Sequence, residues 1–208
     1  MKFLLILVAL VAGFSSCVSA QTPAPLELKN IQIGVSTTDD VKKRFPGARV
    51  LRNAIIVTMN DYVGAKCGSN PYLPGPNYET FFKCQTEVQN DLFVGAGTMG
   101  TFWQFYIIDG NIESISVTFH SNGFVGASGS LEVKYGKASQ TNTEIVKTKG
   151  GATFESKVMT WEHPDGSIRI DQISGNIDES RLVMSSSKYR LSREEAQKRS
   201  IIEGARKL

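Results

Sequence analysis

The side chains best suited to bond-making chemistry in this chain are few. Its two histidines, His120 and His163, lie far apart in sequence. Neither belongs to a His-Glu-x-x-His pattern or any other ligand spacing, so the sequence supports no metal site. A nucleophilic serine on a Gly-x-Ser-x-Gly elbow is also missing, since Gly126-Ala127-Ser128-Gly129 lacks the fifth-position glycine. A triad draws its members from distant positions, so one reading stays open. It is an exported hydrolase using His120 or His163 with an unidentified serine or carboxylate. The adjacent carboxylates Asp39-Asp40 are explained more simply by a helix cap than by paired acid–base work.

Gly95-Ala96-Gly97-Thr98-Met99-Gly100 satisfies the dinucleotide pattern Gly-x-Gly-x-x-Gly. That chemistry needs a helix to start there, so that its free amides can hold a pyrophosphate. Thr101 to Tyr106 reads as strand instead, so a flexible turn is expected and no cofactor. The aromatic run within that strand has its own logic. Alternation sends Phe102 and Tyr106 to one sheet face and Trp103 and Phe105 to the other. One pair must be core; the other covers a helix or forms an exposed patch. All four are therefore candidates for a binding surface.

The beginning of the chain speaks of export. Lys2, the apolar stretch Phe3 to Phe14 and the small residues Val18-Ser19-Ala20 have the layout of a secretory leader. The stretch is well short of the roughly 20 residues needed to span a bilayer as a helix. No later segment is apolar enough either, so no membrane span is expected. Cys17 has two readings: a leader cysteine discarded on cleavage, or, in Phe14-Ser15-Ser16-Cys17, a loose bacterial lipobox whose cysteine carries a lipid anchor. The remaining pair, Cys67 and Cys84, is expected to form a disulfide in an oxidising compartment. It would fasten the turn-rich segment Gly68 to Asn77 to the first sheet.

The elements that must position these residues follow from pattern. Ser36 to Asp39 has the spacing of a helix cap, Val41 and Phe45 share one helical face, and Pro46-Gly47 ends the helix. Ala54 to Val57 reads as a strand. Thr101 to Ile108, turning at Asp109-Gly110 into the alternation of Ile115, Val117 and Phe119, is the clearest hairpin. The order then recurs: a short helix from Leu131 to Tyr135, strands at 157–162 and 167–173 joined across Pro164-Asp165-Gly166, and a strand at 181–185. A terminal helix capped by Ser192 and Glu195 follows, with a partial apolar stripe of Ala196, Ile201, Ala205 and Leu208.

With 208 residues, 41% of them hydrophobic and 21% charged, the composition excludes a collagen, a coiled coil and a disordered chain. The formal net charge is +3. The excess sits in the tail, where Lys188, Arg190, Arg193, Lys198, Arg199, Arg206 and Lys207 outweigh Glu194, Glu195 and Glu203. Interspersed glutamates favour a solvated helix over a nucleic-acid or membrane contact.

Ile33-Gly34-Val35-Ser36, leading to Asp39-Asp40-Val41 and the Phe45-Pro46-Gly47 stop, resembles the opening of modules in the β-lactamase-inhibitor-protein-like group. That group includes the small outer-membrane lipoprotein of the barrel-assembly machinery. The resemblance implies modules that pair a small helical unit with an antiparallel sheet, two in tandem in some members. It also implies an exported binding or scaffold role without catalytic residues.

The expectation is thus an α+β fold with antiparallel sheets, short helices, tandem helix-plus-hairpin modules and a C-terminal helix. The divisions are a signal peptide at 1–20, modules at 21–125 and 126–190, and the helix at 191–208. The expected role is a non-enzymatic periplasmic, secreted or envelope protein that binds a protein partner, without nucleic acid.

Overall fold

The computed structural model describes residues 23–68, 78–147 and 151–205. The expected leader at 1–20, Cys17 within it, and positions 69–77 of the turn-rich segment lie outside them. The fold is α+β, as the order of elements predicts. It begins with a small hairpin, β1 (Glu27–Leu28) and β2 (Ile31–Gln32), then α1 (Thr38–Arg44), β3 (Arg49–Val50), β4 (Ala54–Thr58), α2 (Met59–Cys67) and α3 (Tyr78–Gln89). Next come β5 (Phe93–Gly95), β6 (Thr98–Ile108), β7 (Asn111–His120), α4 (Phe124–Tyr135) and β8 (Gln140–Lys147). The chain continues through β9 (Thr153–His163), β10 (Gly166–Asp171), β11 (Glu179–Ser186) and α5 (Ser187–Ala205).

One antiparallel sheet runs β3-β4-β6-β7-β11-β10-β9-β8, with β5 added to β6. Each half of the chain contributes a meander, and the last strand of each, β7 and β11, pair at the centre. The sheet is thus continuous across the expected module division, and that division falls inside α4.

Local chemistry explains the predicted elements. Asp109 and Gly110 take positive φ of 52° and 85°, so the tight turn between β6 and β7 forms as expected. The cap of α1 sits one residue later than the spacing suggests. The Thr37 backbone N–H donates to Asp40 Oδ2 at 2.8 Å and its hydroxyl does so at 2.9 Å. Those bonds hold the Asp40 carboxyl below its ordinary range, the backbone one first. At Gly47 the chain turns with φ +86°, and a Cβ there would strike the Asp61 carbonyl.

The core lies on one face of the sheet. Trp103, Phe105, Ile115, Val117, Leu182, Met184, Ile168, Ile170 and Trp161 are buried there, beneath Val41 and Phe45, Tyr62 of α2, and Phe124, Ala127 and Leu131 of α4. Phe45 lies 5.3 Å from Trp103, 5.6 Å from Phe105 and 5.9 Å from Tyr62, forming an aromatic cluster where α1, α2 and β6 meet.

Four helices depart from the sequence pattern. α2 and α3 were not anticipated. α2 has little amphipathic period, and its sole local signal is Thr58, whose hydroxyl accepts the Asp61 N–H at 3.1 Å. α4 starts at Phe124 rather than near Leu131, because the poor helix propensity of its glycines is overridden by packing of Phe124, Ala127 and Leu131. α5 starts at Ser187, since the Ser186 hydroxyl accepts the Tyr189 N–H at 3.0 Å. The expected cap at Ser192 is interior helix.

A polar cluster closes the helical layer. The Tyr62 hydroxyl donates to Asp91 Oδ2 at 2.7 Å, and Arg44 donates to Asp91 Oδ1 at 3.2 Å. Burial, then the bond to and charge of Asp91, push the Tyr62 phenol up to about 12. A pKa raised on folding stabilises fully below the ordinary value of 10.0, and that stability is lost as pH rises through about 12. Tyr62→Phe is expected to cost about 1 kcal/mol near neutrality. The stability gap between wild type and variant should then narrow across the alkaline limb. Denaturant titrations of both proteins at a series of alkaline pH values check this; a constant gap would contradict it.

Candidate functional site

On the sheet face opposite the core, Phe102, Arg181 and Arg169 are exposed, whereas Asp171 and Val158 are buried. A row crosses this face from Thr58 through Phe102, Thr118, Arg181 and Asp171 to Val158, each residue directly opposite the next. The adjacent row is Ile56, Gln104, Ser116, Val183, Arg169 and Thr160. Phe102 is 36% exposed and Arg181 and Arg169 are exposed, whereas Trp103 and Phe105, on the same strand, are at 0%. The four-aromatic surface therefore needs correction. Trp103 and Phe105 are core, and the period of two leaves only Phe102 and Tyr106 on the outer face.

Tyr106 is covered in turn. The base of α5 lies over this end of the face, with Tyr189 at 5.2 Å from the Tyr106 ring. Lys188 reaches Asp109 at 2.7 Å and Glu113 at 3.7 Å, and Arg190 reaches Glu162 at 3.6 Å. The bond to Asp109 and the two carboxylate charges raise the Lys188 pKa. Beyond this first turn no residue of α5 is buried, so the helix projects, with Leu191, Ile201 and Ile202 exposed.

An ion-pair network that sequence reading missed fixes the other end of the face. Arg169 donates through Nε to Asp171 Oδ1 at 2.8 Å and through a terminal nitrogen to Glu144 at 3.1 and 3.4 Å. The Asp171 bond is the main cause of a raised Arg169 pKa. Period-two spacing places Arg169 and Asp171 on one face, but nothing local says that β8 brings Glu144 beside them. Phe102 and Arg181 remain as the exposed aromatic and cation in the central row.

The histidines occupy opposite ends of β11. His120 lies beside Glu179, and His163 lies beside Gly166, which faces Ser186. At the rise of a strand this separates them by roughly 23 Å along the strand direction alone. His120 is exposed, with Nδ1 accepting the Asn122 N–H at 3.3 Å. The side chain of His163 is only 9% exposed. Its Nε2–H donates to the Ala24 carbonyl at 2.8 Å, and Nδ1 accepts the Asp165 N–H at 3.1 Å. With the Tyr135 hydroxyl bonded to Glu27 and Pro25, it straps the N-terminal segment to the sheet.

The glycine-rich segment is a locked hairpin rather than a flexible turn. A Cβ at Gly95 would press on Ala127 and Ser130 of α4, and one at Gly126 would meet the Ala96 carbonyl. The Ala96 N–H donates to Ser130 Oγ at 3.0 Å. Small residues on both sides permit this close contact, and β6, not a helix, follows it. Ser128 lies within α4 and donates to the Val125 carbonyl.

Cys67 and Cys84 are disulfide-bonded, with Cα atoms 5.8 Å apart. The bridge joins the C-terminal end of α2 to α3, rather than tying a loop to the sheet. Among the described residues, no group of three or more His, Cys, Asp and Glu side chains could hold a metal ion, and no helix is long and apolar enough to cross a membrane. No protein-family model, no curated protein and no solved structure matches this chain.

Proposed function

We propose that this is an exported, non-enzymatic periplasmic or envelope protein that binds another protein through the outer face of its sheet. The observation that carries the reading is the central row, where Phe102 and Arg181 stand exposed on either side of Thr118. Aromatic and arginine side chains on a rigid platform are the groups that concentrate binding energy at protein interfaces. The leader and the disulfide support export. The likeness of residues 33–47 to a binding-module family supports the role, and it leaves Cys17 as the position for a lipid anchor if the leader is processed there.

The test is a pull-down from envelope extract, with mass spectrometry of what is retained. Wild type and the Phe102→Ala/Arg181→Ala double variant serve as baits. The variant is expected to lose the captured protein while its circular dichroism is unchanged, since both side chains are at the surface. Equal capture by both baits would overturn the assignment of this face. Loss of a hydrolytic activity in a folded His120→Ala/His163→Ala variant would instead favour the hydrolase reading.

A further inference from the structure

The two edges of the sheet are unlike. β3 has two residues, and its Arg49 is tied to Asp61 of α2 at 3.0 Å. β8 has eight, paired to β9 without a register shift from Gln140↔Thr160 to Lys147↔Thr153. Gln140 to Ile145 are exposed, and among the described residues no segment pairs with its outer side. Exposed edges are usually blunted by shortness, proline, a bulge or charge. β8 has no proline or bulge and is not short. Its interior charge, Glu144, is drawn across the sheet face to Arg169.

We propose that β8 is a self-pairing edge, on which a second copy of this chain adds its own β8 antiparallel. The occupant follows from the asymmetry of the sheet. A head-to-tail array would need β3 to accept β8, and two residues cannot pair with eight. The one long edge can meet only its equal, which closes a two-fold dimer. The two-fold axis runs perpendicular to the sheet, so opposed residues lie on the same face and differ by an even number. Centring the axis on Glu144 would set like charges directly opposite, which is unfavourable. Centring it on Thr143 pairs Thr143 with itself, Asn142 with Glu144, Thr141 with Ile145 and Gln140 with Val146. This register leaves no like charges opposed and partly covers Ile145, which is 62% exposed. The pairing is independent of partner binding on the outer face.

Sedimentation equilibrium of the purified chain across the micromolar range tests the proposal. Wild type is expected to show a monomer–dimer equilibrium. Thr143→Lys and Thr143→Glu each place like charges at the axis, and each should weaken dimerisation by about tenfold or more, a change of about 1.4 kcal/mol. Mixed in equal amounts, the two variants should form a heterodimer. Circular dichroism checks that both are folded. A wild type that stays monomeric, a Thr143→Lys variant that dimerises like wild type, or a mixture that stays monomeric would each overturn the proposal.

Discussion

Replacing Trp103 with alanine is expected to lower the unfolding free energy by about 3–5 kcal/mol, the range for losing a large buried aromatic. Trp103 is at 0% exposure, and its ring lies 5.3 Å from Phe45 and 6.2 Å from Phe105. The surrounding groups belong to different elements, α1 and β6 among them, so they cannot collapse together to fill the space. Phe102→Ala on the same strand is the matched control. Its ring is on the outer face, so the cost is expected to stay under about 1 kcal/mol, as for surface changes generally. Denaturant unfolding of both variants reads the contrast as a shift in midpoint. Equal costs would mean that the faces of β6 are assigned the wrong way round, since a one-residue slip exchanges every side chain between core and solvent.

The Cys67→Ser/Cys84→Ser variant is expected to lose about 3 kcal/mol, the chain-entropy value for a closed loop of this length. The sequence separation is 17, and both cysteines lie in helices. The loss should be uneven across the fold. α3 contributes Val88 to the core, but it is tied to the body by less than the central strands are. Hydrogen exchange should therefore show α3 and the C-terminal end of α2 losing protection, while β6 and β7 keep theirs. Loss spread equally over the sheet would show that the bridge supports the whole core instead of the helical pair.

What the sequence determined by itself is whatever physical chemistry decides within a few residues. Asp109-Gly110 turns because both positions tolerate positive φ. The alternation from Ile115 to Phe119 makes a half-buried strand, and Thr37 with Asp40 makes a cap. The pair Cys67 and Cys84 makes a bridge, though the sequence does not say which elements it joins. The α+β class follows from hairpins placed after short helices.

Tertiary structure decided everything that depends on which distant segment arrives. Alternation splits Phe102 from Trp103, but only the arrival of Phe45 and Tyr62 makes Trp103 the buried one. α4 is helical through its glycines because Phe124, Ala127 and Leu131 have a core to enter, and α2 is helical because Tyr62 does. His163 sits beside a turn, yet its side chain is only 9% exposed and bonds the distant Ala24 carbonyl. Arg169 and Glu144 meet only through strand order. The open edge of β8 is likewise a property of the assembled sheet, since a strand's own residues do not say whether a neighbour will pair with it.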